Sequence, residues 1–284
     1  MTASFIKRIA ISILRVLVVS FIGFCLLLMF NQHAMIYHPR SYGRNEIVVL
    51  QRVPVQLHFK TSQGEQTAFY LPPAAGISQP EKMWVMFGGN GSLALDWRGV
   101  ISKTAGPGDG FLMVDYPGYG ECQGSASPAS IEENAEKALE QVAEMPGMDR
   151  NSMEGKLSVM GHSLGCATAL NFAVHHPVDR VILISPFTSL LDMARRTVGF
   201  PLCYLLTHHF NNRARLAELA SRVNPPLVYL FHGTDDEIIP VAMGRELSAM
   251  FPKMIRFKEF PEAGHESILN QATLEIRDAM EGKR

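Results

Sequence analysis

Cysteine is scarce and follows no pattern. The chain has four in 284 residues, and Cys25 lies in an N-terminal apolar run, which leaves Cys122, Cys166 and Cys203. Three cysteines without ligand-like spacing exclude a disulfide-stapled scaffold and a cysteine zinc site. A Cys122–Cys203 bridge is open to an extracytoplasmic domain, but separation in sequence does not establish one. Charge is scarce too. Charged residues make up 19% and the formal net charge is −1, so the basic surface of a nucleic-acid binder is missing. No internal repeat or low-complexity tract occurs, which excludes a solenoid. The glycine run Gly88-Gly-Asn-Gly91 has no G-K-[ST] after it and fails the G-x-G-x-x-G spacing, against a phosphate-cradling loop.

Apolar residues are what the chain has, at 47%. Lys7 and Arg8 precede a run from Ile9 to Phe30 broken only by Arg15. As a helix this run spans roughly 33 Å, about one hydrocarbon core. The basic residues all lie at its start, so the positive-inside rule places residues 1–8 in the cytoplasm and the globular part across the membrane. No good A-x-A-like cleavage site follows, which favours an uncleaved signal anchor at 9–30 over a removed signal peptide. Residues 31–45, with Tyr37, His38 and Arg40, read as a juxtamembrane linker whose residue types suit an interface.

From about Glu46 to residue 284 the pattern is that of one α/β domain. Val55–Phe59 and Gln66–Leu71 alternate around Ser62-Gln-Gly64 as a hairpin. Buried-type strands follow at 83–87, 111–114, 157–160, 181–184, 227–231 and 255–260. Helices are expected at 93–104, 129–145, 164–176, 241–251 and 266–281, the second capped by Ser130 with Glu133 three residues on. This alternation predicts a mostly parallel sheet with helices on both faces. Residues 186–225 are too long for a plain crossover. Their apolar residues, with Arg195, Arg196 and Arg213, are expected to form a short helical cap, and Phe200 and Leu206 within it to contact substrate.

Gly161-His-Ser-Leu-Gly165 carries the chemistry. It fits G-x-S-x-G, which lifts a serine onto a tight strand-to-helix turn. A serine nucleophile needs a base, a group to orient the base, and donors for an oxyanion. The acid expected is Asp236, after the 227–231 strand, with Asp235 as the alternative. The base expected is His265, after the 255–260 strand, rather than His162 beside the serine. The oxyanion donors expected are the N–H groups of Leu164 and Asn90.

These segments, together with Asp115-Tyr-Pro-Gly-Tyr-Gly120, Gly124-Ser125, Ser185-Pro-Phe-Thr188, His232-Gly-Thr-Asp-Asp236 and Gly264-His265, resemble the alpha/beta-hydrolase superfamily. The resemblance is closer to its membrane-anchored branch of depalmitoylases and lysophospholipase-like esterases. That branch commonly has His-Gly where this chain has Gly88-Gly89. The resemblance implies the alpha/beta-hydrolase fold and a Ser–His–Asp hydrolase without metal or cofactor. Its substrate would be a small or lipid-like acyl ester or thioester. A peptidase or amidase on the same fold, and a catalytically silent membrane-anchored binding protein, are the rival readings. Asp115–Gly120 reads as a structural loop framing the site.

Overall fold

The computed structural model describes residues 3–43, 55–74, 77, 79–149, 153 and 155–283. The expected start of the domain near Glu46 lies outside them. The chain opens with α1 (Ala3–Ile36), one continuous helix of 34 residues and about 51 Å long. It is long and apolar enough to cross a membrane, and every residue from Ser4 to Phe24 is exposed. The helix also runs through Asn31–Ile36, where the sequence pattern places a linker.

Eight strands form one sheet: β1 (Val55–Thr61), β2 (Gly64–Leu71), β3 (Lys82–Phe87), β4 (Asp109–Val114), β5 (Leu157–His162), β6 (Arg180–Ile184), β7 (Leu227–Gly233) and β8 (Ile255–Phe260). Their order is β1-β2-β4-β3-β5-β6-β7-β8. The β1–β2 hairpin and its junction with β4 are antiparallel, and all other pairs are parallel. The central strands are apolar at nearly every position because both of their faces are covered. Met83, Val85 and Phe87 enter one core, while Trp84 and Met86 enter the other.

The first core is covered by α3 (Pro128–Ala143), α4 (Leu164–His175), α6 (Asn212–Ala220) and α7 (Val241–Met250). The second is covered by a 3-10 turn (Ala94–Trp97), α2 (Arg98–Thr104), α8 (Ile268–Gln271) and α9 (Thr273–Glu281). Between β6 and β7 lie α5 (Leu190–Val198) and a 3-10 turn (Leu202–Leu205) ahead of α6.

Two boundaries differ from the sequence pattern. The N-cap of α3 is Ser127, not Ser130. Ser127 Oγ accepts from the Ser130 N–H at 3.0 Å, and Ser130 Oγ accepts from the Ser127 N–H at 2.8 Å. Pro128 then takes the first helical position, where its missing N–H costs nothing. Glu133 is engaged elsewhere, accepting from the Ser62 N–H and hydroxyl. The last expected helix is broken at Ala272 into α8 and α9.

The sheet order reverses beside β3. The chain runs from β3 to β4 on one side, then returns to β5 on the other. Ligands in open α/β sheets bind beyond the carboxyl ends of strands at such a switch. Phe87 and Gly161 are in register there. The glycine run after β3 therefore faces the serine after β5.

Candidate active site

Ser163 joins β5 to α4 with φ 56° and ψ −120°. A non-glycine residue in this region is strained, and such strain persists only where the surroundings over-determine it. They do so here through close packing. A Cβ on Gly161 would collide with the Gly165 carbonyl, and one on Gly165 with the Phe87 carbonyl oxygen. The Ser163 N–H is held by the Ile184 carbonyl at 2.9 Å. Ser163 is 7% exposed and lines a cavity of about 400 Å³, within the usual range for small-molecule sites.

His265 reaches the same cavity from the loop after β8. Its Nδ1 lies 2.8 and 3.0 Å from the two carboxylate oxygens of Asp236, which stands in the loop after β7. Nδ1 facing a carboxylate carries the proton, leaving Nε2 as the basic nitrogen. Asp236 Oδ1 also accepts from the N–H groups of Ile238 and Ile239, at 3.0 and 2.7 Å. Burial pushes this carboxyl up, but hydrogen bonds from His232, His265 and the Ile239 N–H outweigh burial. They hold it well below the usual carboxylate range. Asp235, the alternative acid, is exposed and bonded to the hydroxyl of Thr234. Ser163 Oγ and the His265 ring make no hydrogen bond with each other in this state, a contact that commonly tightens only with substrate.

Two further histidines support the pair. His162 Nε2 donates to the His265 carbonyl at 2.9 Å. Burial and the neighbouring His265 push the His162 pKa down to about 4, so at neutral pH it is an uncharged brace. His232, fully buried, donates from Nε2 to the Ile239 carbonyl at 2.8 Å and lies 3.4 Å from Asp236 Oδ2. The acid thus sits between two imidazoles. The second was not legible in the sequence beyond its place at the end of a strand.

The glycine run approaches the serine closely: a Cβ on Gly89 would stand 3.4 Å from Ser163 Cβ. Asn90 lines the cavity. Its carbonyl is fixed by the Tyr119 hydroxyl at 2.6 Å and the His38 N–H at 2.9 Å. The Tyr116 hydroxyl holds the Gly88 carbonyl at 2.6 Å, and Arg40 Nε holds that of Gly91 at 3.0 Å. Asn90 N–H has no acceptor among the described residues. Leu164 begins α4, where the first N–H groups lack intrahelical partners. The Asp115–Gly120 loop acts as a brace: buried Asp115 accepts from the Ala94 N–H and the Tyr42 hydroxyl.

The cavity walls are apolar. Phe187, Leu190, Met193 and Leu206 come from the segment after β6, and Ile238 and Ile239 from the acid loop. Of the two residues expected to contact substrate, Leu206 lines the cavity and Phe200 does not. Phe200 is 76% exposed and stacks edge-to-face on Tyr204, 6.0 Å between centroids. Gly199 at φ 75° ends α5 immediately before Phe200, and hydrophobicity alone does not reveal that Phe200 is exposed. None of Arg195, Arg196 and Arg213 lines the cavity. Arg213 instead bridges Asp192 and Glu246.

The remaining wall was missed in sequence. Leu28, Gln32, Met35 and Ile36 of α1 line the cavity, as does His38. Tyr37, expected at an interface, is buried, with its hydroxyl 3.1 Å from His208 Nδ1. Interfaces and protein cores draw on the same aromatic residues, so composition does not separate them. All four cysteines are free, and Cys122, Cys166 and Cys203 are each buried. One cluster of metal-capable groups, His162, His265 and Glu266, has its ligand atoms within 4.8 Å of one another. Asp236 and the His265 carbonyl already engage its two histidines.

A sequence profile described as the alpha/beta hydrolase family matches residues 85–222. An uncharacterized protein of Mycobacterium tuberculosis is 30% identical over 198 residues, covering 69% of this chain and 66% of that protein. The chain thus spans just under two thirds of that relative's length. Among solved structures, an alpha-beta hydrolase from Vibrio vulnificus superposes with TM-score 0.66 at 17% identity, covering 86% of this chain and 88% of the other. Est1E from Butyrivibrio proteoclasticus, solved with ferulic acid bound, superposes with TM-score 0.62 at 15% identity, covering 80% and 98%.

Proposed function

We propose, on the premise that the profile match and the fold make this chain a member of the alpha/beta-hydrolase superfamily, that it is a serine hydrolase of carboxylic esters or thioesters, including lipid-derived acyl groups. The observation that carries this reading is the His265–Asp236 contact at 2.8 Å, opening on the same cavity as a strained, buried Ser163.

In this reading Ser163 Oγ attacks the acyl carbon while His265 Nε2 takes the hydroxyl proton. Asp236 holds the imidazole and stabilises its cation. The N–H groups of Asn90 and Leu164 bind the oxyanion of the tetrahedral intermediate. Collapse expels the alcohol or thiol, which takes its proton from His265. Water, deprotonated by His265, then releases the acid from Ser163. The apolar walls suit an acyl chain and offer no charged side chain for a peptide terminus except Glu266 at the rim. We also read α1 as a single-pass anchor, with Lys7, Arg8 and Arg15 on the cytoplasmic side and the domain across the membrane.

A fluorophosphonate probe is expected to label the intact protein, and Ser163→Ala to abolish the labelling. Undiminished labelling of the variant would overturn the assignment of the nucleophile.

A further inference from the structure

The helix that the sequence reads as a tether is part of the site. Leu28, Gln32, Met35 and Ile36 line the Ser163 cavity. Their spacing of four, three and one places them on one face of α1. From Leu28 to Ile36 this face rises about 12 Å. It begins inside the uncharged run that ends at Phe30 and finishes beside Asn90 through His38. One wall of the cavity therefore starts within the apolar run of α1 and ends at the glycine run after β3.

The wall is built in place. Gln32 Oε1 accepts from the N–H and hydroxyl of Thr207, at 2.7 and 2.8 Å. His33 Nε2 contacts the Ala126 carbonyl at 3.1 Å and the Ser125 hydroxyl at 2.9 Å on the other side. The segment that Gln32 grips also carries Phe200 and Tyr204, 76% and 60% exposed, beside Arg195 and Arg196. Exposed aromatics and arginines next to the end of an apolar helix are the residues of a membrane–water interface.

We propose that α1 is a substrate-binding wall as well as an anchor, and that the substrate is an ester of a long-chain acid resident in the bilayer, whose acyl chain passes from the leaflet into the Ser163 cavity along the Leu28–Ile36 face. This rests on the serine-hydrolase reading. The chain slides along Leu28 and Met35, and the ester stops at Ser163 near the headgroup level. Hydrolysis there returns the acid to the leaflet and the alcohol to water. Phe200 and Tyr204 seat the cavity rim in the headgroup region. The exposed Phe200 that has no place in the cavity thereby gains one at the bilayer.

The test uses the full chain in phosphatidylcholine vesicles and two fluorophosphonates, ethyl and hexadecyl. Each reacts when Ser163 Oγ displaces fluoride at phosphorus and the hydroxyl proton leaves through His265. Hexadecyl probe placed in the protein's own vesicles is expected to label at least tenfold faster than the same probe supplied in separate vesicles. Equal rates would mean delivery through water and overturn the lateral path. Leu28→Trp and Met35→Trp narrow the wall and are expected to lower the hexadecyl-to-ethyl rate ratio at least fivefold. An unchanged ratio overturns the wall. A hexadecyl probe with a terminal diazirine is expected to crosslink to α1 between Cys25 and Ile36 in the unmodified protein. Crosslinks confined to residues 187–206 overturn the proposal without any variant. Failure of both probes to label would count instead against the hydrolase reading itself.

Discussion

At the scale of single residues, the site is organised by imidazoles in different protonation environments. His265 is paired to Asp236 through Nδ1, whereas His162 is buried without a carboxylate contact and its pKa falls to about 4. The lowered value has a consequence for stability. Between about pH 6.5 and pH 4 the unfolded chain protonates this histidine and the folded protein resists, so stability falls as pH falls through that window. Folding then forfeits at most about 3 kcal/mol at this residue by pH 4. His162→Gln keeps a donor for the His265 carbonyl and removes the titration. The stability advantage of the unmodified protein over this variant, from urea midpoints, is expected to shrink steadily from pH 7 to pH 4. A constant difference would show an ordinary histidine. Asp236 acts in a more acidic window: its depressed pKa stabilises the fold above roughly pH 4 and loses that effect as pH falls toward its folded value.

At the scale of elements, the turn between β5 and α4 works only because two glycines let backbone meet backbone. Gly165 admits the Phe87 carbonyl, and Gly161 admits that of Gly165. Neither neighbour is a flexible side chain that can swing aside. Gly165→Ala is expected to cost roughly 1–3 kcal/mol, as overpacking of a close-packed core does. It should also slow fluorophosphonate labelling, because α4 and the Leu164 N–H must shift. Gly99→Ala is the control. A Cβ there meets nothing within 4 Å and the residue is helical, so about 0–1 kcal/mol of stabilisation is expected. Chemical denaturation of the two variants checks both signs. The element after β6 shows the converse. No residue of α5 is fully buried: Leu190 and Met193 touch the edge of the first core and also line the cavity.

At the scale of the whole molecule, α1 divides into two parts with different duties. Residues 4–24 are exposed throughout. Asn31–Arg40 are built into the domain through Gln32, His33, buried Tyr37, and the His38 and Arg40 contacts to the glycine run. Removing residues 1–24 is expected to leave the melting temperature in detergent within a few degrees and to reduce membrane retention. Removing residues 1–40 deletes a buried aromatic as well, a loss of about 3–5 kcal/mol, and unclamps Asn90. A melting temperature unchanged by the longer deletion would show that the segment only tethers.

Sequence by itself determined the sheet, because strands buried on both faces read as unbroken apolar runs, and runs as short as Val181–Ile184 and Leu227–Phe231 between longer amphipathic segments suit strands better than helices. It also offered Ser163, Asp236 and His265 as candidates, because each follows a strand of the parallel set, whose carboxyl ends all lie along one edge of the sheet. What only the tertiary structure decided depends on direction and long-range contact. Local pattern does not say that Phe200 turns outward, that His232 shares the Asp236 carboxylate, or that Tyr37 is core. Least of all does it say that the apolar N-terminal helix supplies a wall of the serine's cavity. An apolar helix face reads the same whether it meets lipid or ligand, and only the fold sets what lies opposite it.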